Sequence, residues 1–148
     1  MTSQSREWLC QRIVEGAPDA IIVADPDGLI RLWNAGAEAL FGYTAEEALG
    51  HSLDLIIPER MRARHWEGFH RAMAAGTTKY GRELLGVPAV RRDGSRFSLE
   101  FSVALLEAPE GGIIGVAAIM RDVTERFQEQ KQLRERLAAL EAGMAPPG

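Results

Sequence analysis

Three histidines and one cysteine are the side chains of this chain best suited to hold a metal or attack a substrate, and their placement restricts both roles. His51 follows Gly50 in a polar stretch, where a solvated imidazole is the ordinary outcome. His65 and His70 are five residues apart, which is about 140° around a helix, so the two do not chelate one ion. A single cysteine, Cys10, excludes an internal disulfide and a cysteine-built zinc site, and it predicts a reducing compartment, hence the cytoplasm. Cys10 stands among Trp8, Leu9, Ile13 and Val14 at helical spacing, which predicts apolar packing for it. Ser98, Ser102 and His65 lack the spacing of a triad, and no glycine-framed nucleophile elbow is present. Gly111, Gly112 and Gly115 lie in and after a hairpin turn rather than between a strand and a helix, which argues against a phosphate loop. These residues predict a chain with no catalytic activity of its own.

The elements that must position them come next. The 148 residues suit one domain with a helix or two appended, and 46% hydrophobic content can build its core. No apolar run approaches the roughly 20 residues that span a bilayer, and no membrane is expected as a partner. Net charge is −4, yet residues 60–96 hold nine basic side chains against the acidic Glu67, Glu83 and Asp93. This predicts a positive rim that suits an anionic small ligand. Nucleic acid is not expected, because the arginines are scattered and no aromatic stripe accompanies them.

Along the chain, residues 1–16 carry a helical apolar face ending at Gly16. Residues 19–25 read as a buried strand closed by the turn Pro26-Asp27-Gly28, with Leu29–Trp33 as its hairpin partner. Asn34 caps a short helix that Gly42 ends, and Thr44 with Glu47 forms a capping box for a second that ends at Gly50. Pro58 precedes an amphipathic helix over residues 59–74. The period then changes. Residues 82–90 and 96–107 read as strands about the turn at residues 92–95, and Phe97, Leu99, Phe101, Val103 and Leu105 alternate strictly. Residues 113–120 form the last strand. Strands split by a helical segment predict an α+β fold with a five-stranded antiparallel sheet, helices on one face, and helices flanking it at either end.

The order and spacing of several short motifs then carry a family. Asp25-Pro26-Asp27-Gly28 with Trp33-Asn34, Ala37–Tyr43, Glu46–Gly50, Arg91–Phe97 and Arg121-Asp122-Val123-Thr124 together resemble a PAS domain, the sensory-box fold, over residues 16–126. The resemblance implies a sheet curled around a small ligand cavity. It divides the chain into a flanking helix (1–16), a sensory domain (17–122), a C-terminal signalling helix (123–144) and a disordered tail (145–148).

The segment from Ile56 to Phe69 further resembles the cavity helix of haem-binding PAS oxygen sensors, whose proximal iron ligand falls at His65. A neutral imidazole facing an apolar pocket suits haem iron. By the same resemblance Arg71 stands near a haem propionate, and Phe101 and Val103 lie on the distal strand. Leu85 replaces an arginine that donates to bound oxygen in those sensors, which implies weak oxygen holding. Light-sensing flavin and coumaroyl subclasses need a pocket cysteine that this chain lacks.

The end of the chain is legible without any resemblance. Gln130, Leu133, Leu137, Leu140 and Met144 recur at alternating spacings of three and four, the seam of a coiled coil, which predicts a homodimer. Asp122 and Thr124 are the expected joint: Asp122 accepts an ion pair from the sheet edge and Thr124 caps the exit helix. A downstream signalling domain or protein is the expected recipient.

Overall fold

The computed structural model describes residues 5–78 and 85–144, so the start expected at Arg82 for the third strand and the tail at 145–148 lie outside the described residues. The elements run α1 (Arg6–Gly16), β1 (Ala20–Ala24), β2 (Ile30–Trp33), α2 (Ala35–Phe41), α3 (Ala45–Ala48), α4 (Arg62–Ala75), β3 (Leu85–Val90), β4 (Arg96–Glu107), β5 (Ile113–Asp122) and α5 (Thr124–Met144). Single turns of 3₁₀ helix at Leu53–Ile56 and Glu59–Met61 lead into α4.

The five strands form one antiparallel sheet in the order β2-β1-β5-β4-β3, as the alternating pattern predicts. Its register stacks apolar side chains in rows across the inner face, because directly opposed residues share a face. Ala20 opposes Met120, Met120 opposes Phe101, and Phe101 opposes Leu85. A second row runs Trp33, Ile22, Ala118 and Val103. The buried core on this face also takes Phe41, Ile56 and Phe69 from the helical segment. The opposite face is bare enough to leave Ile119 at 47% exposure on the central strand.

Local chemistry fixes the corners. In the β1–β2 turn, Asp25 Oδ1 accepts from the amides of Asp27 and Leu29, both at 3.0 Å, and Gly28 takes φ +82°. Asn34 caps α2 and Gly42 ends it in the left-handed region. The Thr44–Glu47 capping box is present in both directions.

The two flanking helices stand apart from this core. α1 buries none of its residues, and Cys10 is exposed. The packing role expected for Cys10 is therefore corrected: the apolar spacing of Trp8, Leu9 and Ile13 is real, but these side chains stay 44–67% exposed.

Candidate ligand-binding and signalling site

α4 is held at its start by one residue. Asp54, in the first 3₁₀ turn, accepts through its carbonyl from Arg62 Nη2 (3.2 Å) and through Oδ1 from Trp66 Nε1 (2.7 Å). Arg62 Nε also donates to Ile57 O at 3.1 Å. The helix ends where Gly76 adopts φ +71° and donates to Ala72 O. Trp66, Phe69 and Met73 face the core.

His65 sits on the same side. It is half-buried, its ring lies 4.7 Å from Trp66 and 5.9 Å from Phe69, and its Nδ1 is buried without a hydrogen-bond partner. Burial pushes its pKa below the usual histidine range, against the pull of the Asp54 carboxylate and with the help of His70. A neutral imidazole in an apolar setting follows.

Leu85, Phe101 and Val103 share the inner sheet face, with Leu85 directly opposite Phe101. Met120, opposite Phe101 on the other side, completes that wall and was not singled out by its sequence context. Arg71 is not part of the group. It is exposed and paired with Glu67 at 2.9 Å, one turn back on the same helix, so it faces solvent rather than the core. Part of the positive rim is likewise paired: Arg62 reaches Asp54, Arg91 pairs with Asp122, and Arg92 pairs with Glu47, while Lys79 and Arg82 lie outside the described residues.

At the other end of the sheet, β5 passes into α5 through a compact joint. Asp122 Oδ2 accepts from Arg91 Nη2 at 2.7 Å, and its Oδ1 accepts from the Thr124 amide at 2.8 Å. Thr124 does not cap the helix as expected. Its hydroxyl oxygen accepts from the Ser98 amide of β4 at 2.8 Å, and the capping oxygen comes from Asp122 instead. The Val123 amide adds a bond to Ser98 O at 2.9 Å. Burial works to raise the Asp122 pKa, but the bonds from Thr124 and Arg91 outweigh it and hold the carboxyl below the ordinary range.

Arg91 extends the joint into the core. Its Nη1 donates to Leu40 O of α2 at 2.6 Å, and its guanidinium lies 3.9 Å from the centre of the Phe97 ring. Phe97 meets Phe41 at 5.7 Å, and Phe41 meets Trp33 at 5.4 Å.

A PAS fold model matches residues 14–128, most of the chain. The chain belongs to the PAS family.

This PAS domain is 33% identical over 136 residues to the sensor protein FixL of Bradyrhizobium diazoefficiens, a match covering 89% of the chain and 26% of FixL. It is 25% identical over 122 residues to the oxygen sensor protein DosP of Escherichia coli K12, covering 82% of the chain and 15% of DosP. A PAS domain from Colwellia psychrerythraea superposes with a TM-score of 0.72 at 22% identity, over 82% of this chain and 99% of that one, a likeness of fold. The chain thus spans at most 26% of the length of these two curated relatives. It is a PAS sensory domain related to sensor proteins that include an oxygen sensor.

Two grooves of this PAS domain flank Asp122. One, of about 460 Å³, is lined by Arg91, Arg96, Phe97, Thr124 and Gln128; the other, of about 350 Å³, by Asp19, Gly36, Leu40 and Arg121 among others. Beyond the joint α5 leaves the sheet. Leu133, Leu137 and Leu140 are 56–60% exposed. Among the described residues no helix is long and apolar enough to cross a membrane.

Arg91 is a residue of the joint that sequence reasoning did not single out. It was visible only within the motif Arg91–Phe97, whereas its partners lie 31 and 51 residues away.

Proposed function

We propose that this PAS domain binds a small ligand or cofactor between α4 and the sheet and passes the change through α5, as half of a homodimer, to a downstream signalling domain or protein. It acts without catalysis of its own. The Arg91–Asp122 pair carries the reading: one guanidinium touches α2, the core ring of Phe97 and the last residue of β5, whose other carboxylate oxygen accepts from the first amide of α5. A shift of the core wall therefore biases the direction of α5, a two-state bias of a few kcal/mol. The exposed leucines of α5 supply a seam for a second copy, too short to hold a dimer alone, so the exposed apolar face of α1 joins it. Asp122→Ala fused to a reporter output should keep ligand binding and lose the response. Leu137→Asp should shift sedimentation toward monomer. A normal response in the first, or an unchanged dimer in the second, would place joint or interface elsewhere.

A second reading is favoured by the unpartnered Nδ1 of His65: the cavity ligand is haem, held by His65 against Leu85, Phe101 and Val103. An imidazole with an unpartnered Nδ1 and an apolar sheet face are the donor and the wall such a group takes, whereas Arg71, paired outward with Glu67, does not serve a propionate here. Haem, when bound, supplies an iron that takes a diatomic gas. His65 would hold that group, and the aliphatic Leu85 would offer it no hydrogen-bond donor. Purified protein should take up hemin saturably at 1:1 with a histidine-ligated spectrum. His65→Ala should abolish that spectrum, while His51→Ala and His70→Ala should not, and Leu85→Arg should tighten oxygen. No saturable uptake would sink the iron reading. Mass spectrometry of the denatured protein then separates another bound molecule from a ligand-free interaction module.

A further inference from the structure

His65 is turned inward although nothing bonds its buried Nδ1 there. A polar atom in that position is held by its neighbours, not by itself. α4 has no side-chain cap at Met61 to fix its start. Phe69 and Met73 contact the core through apolar side chains, which tolerate a helix rolling or sliding by a fraction of a turn. A directional tie is needed, since one residue is about 100° of rotation.

Trp66 supplies it. Its indole N–H reaches Asp54 Oδ1 at 2.7 Å. The same Asp54 receives Arg62 on its carbonyl, and its own amide is fixed by Ser52 Oγ at 3.1 Å. The far edge of the indole lies on Gly28 of the β1–β2 turn. A Cβ at Gly28 would stand 2.2 Å from Trp66 Cη2 and 2.3 Å from Cζ3, closer than any side chain tolerates. Gly28 also has φ +82°, so glycine is required there twice over. The indole is thus gripped at both ends, by a hydrogen bond and by a seat that only glycine leaves open.

We infer that Trp66, seated on Gly28 and bonded to Asp54, is a positioning residue that locks the rotation of α4 and so presents His65 to the ligand site. The inference rests on the reading that the space faced by His65 is that site. With the lock in place His65 is held ready without a bond of its own, and its unpartnered Nδ1 is left for the ligand. Without it, the imidazole swings toward solvent.

The test reads His65 directly, in the protein without added ligand. Diethyl pyrocarbonate modification, followed by mass spectrometry, reports the accessibility of each histidine, and exposed His51, outside α4, serves as the internal reference. Trp66→Phe and Asp54→Ala should speed modification of His65 about fivefold, the factor that losing one buried hydrogen bond implies, and leave His51 unchanged. Asp54→Asn keeps an acceptor for the indole and should stay near wild type. Gly28→Ala should act like Trp66→Phe if it folds; if it does not, Trp66→Phe and Asp54→Ala carry the test. Added hemin gives a second readout, with about tenfold weaker uptake in the lock variants, as for the loss of an outer partner of a metal ligand. If wild type takes no hemin but the His65 rates move as stated, the lock stands and the iron reading alone fails. If the His65 rate is unchanged while thermal stability falls, Trp66 is only a packing residue and the inference is overturned.

Discussion

Asn34, fully buried at the start of α2, and His65, half-buried on α4, each turn a polar atom into the core, and the structure treats them in opposite ways. Asn34 is fully buried and fully used. Its Oδ1 accepts from Ile21 N (2.8 Å) and Ala37 N (2.9 Å), and its Nδ2 donates to Val14 O (2.7 Å) and Asp19 O (3.1 Å). One side chain joins the end of α1, the start of β1 and the cap of α2. His65 has a buried nitrogen with no partner. A satisfied polar group specifies a scaffold, whereas an unsatisfied one carries a cost that a ligand could relieve. The β1–β2–α2 corner is therefore frame, and α4 carries the buried side-chain polar atom left without a partner among the described residues.

The largest way to break this contrast is at the frame. Asn34→Leu strands two amides and two carbonyls at once and should destabilise the fold by about 4 kcal/mol, read by urea unfolding. A loss under about 1 kcal/mol would mean that water replaces the side chain, and the corner would not be frame. Gly36→Ala probes the same corner sterically. Its Cβ would meet Asp19 O at 2.1 Å, backbone against backbone, so the cost should be about 2 kcal/mol.

The same measurements on α4 should change sign. His65→Leu replaces a half-satisfied imidazole by an apolar side chain facing Phe69 and should stabilise the ligand-free protein by about 1 kcal/mol. Gly68→Ala, with no atom within 4 Å of the new Cβ, should add about 0.7 kcal/mol of helix propensity. Destabilisation in both would make α4 as tightly specified as the frame.

How much of this was legible follows the range of the interactions. β4 was readable to its ends, Arg96–Glu107, because alternation and a glycine turn are properties of neighbouring residues. The Asn34 cap and the Thr44–Glu47 box were readable for the same reason. Asn34's bond to Val14, 20 residues away, was not. Arg71 pairs with Glu67 four residues back, an interaction the sequence does carry, but it competed with a longer-range role and won. Cys10 shows another limit. Helical apolar spacing looks the same whether a face is covered or bare, and that of α1 is bare. Thr124 begins α5 directly after β5, yet which oxygen accepts from its amide depends on β4 lying alongside.

The smallest effect tests the His65 side of the contrast through protons. The folded protein holds the His65 pKa below its unfolded value of about 6.5, chiefly through burial. Between those two values the unfolded chain binds more protons, so stability rises with pH across that window. At about pH 7.5 the imidazole is neutral in both states and proton binding contributes nothing; as pH falls through about 6.5 the unfolded state is protonated first and stability is lost, levelling off only below the folded pKa. Asp25, Glu47, Asp93 and Asp122 are all shifted downward from acidic values and titrate outside this window, so they do not obscure it. Urea midpoints of wild type and His65→Leu, measured at about pH 7.5, 6.5 and 5.5, should diverge as pH falls, with wild type losing more. Parallel curves would mean that His65 titrates as it does in water. The imidazole would then be solvated, and α4 would offer a ligand no more than the frame does.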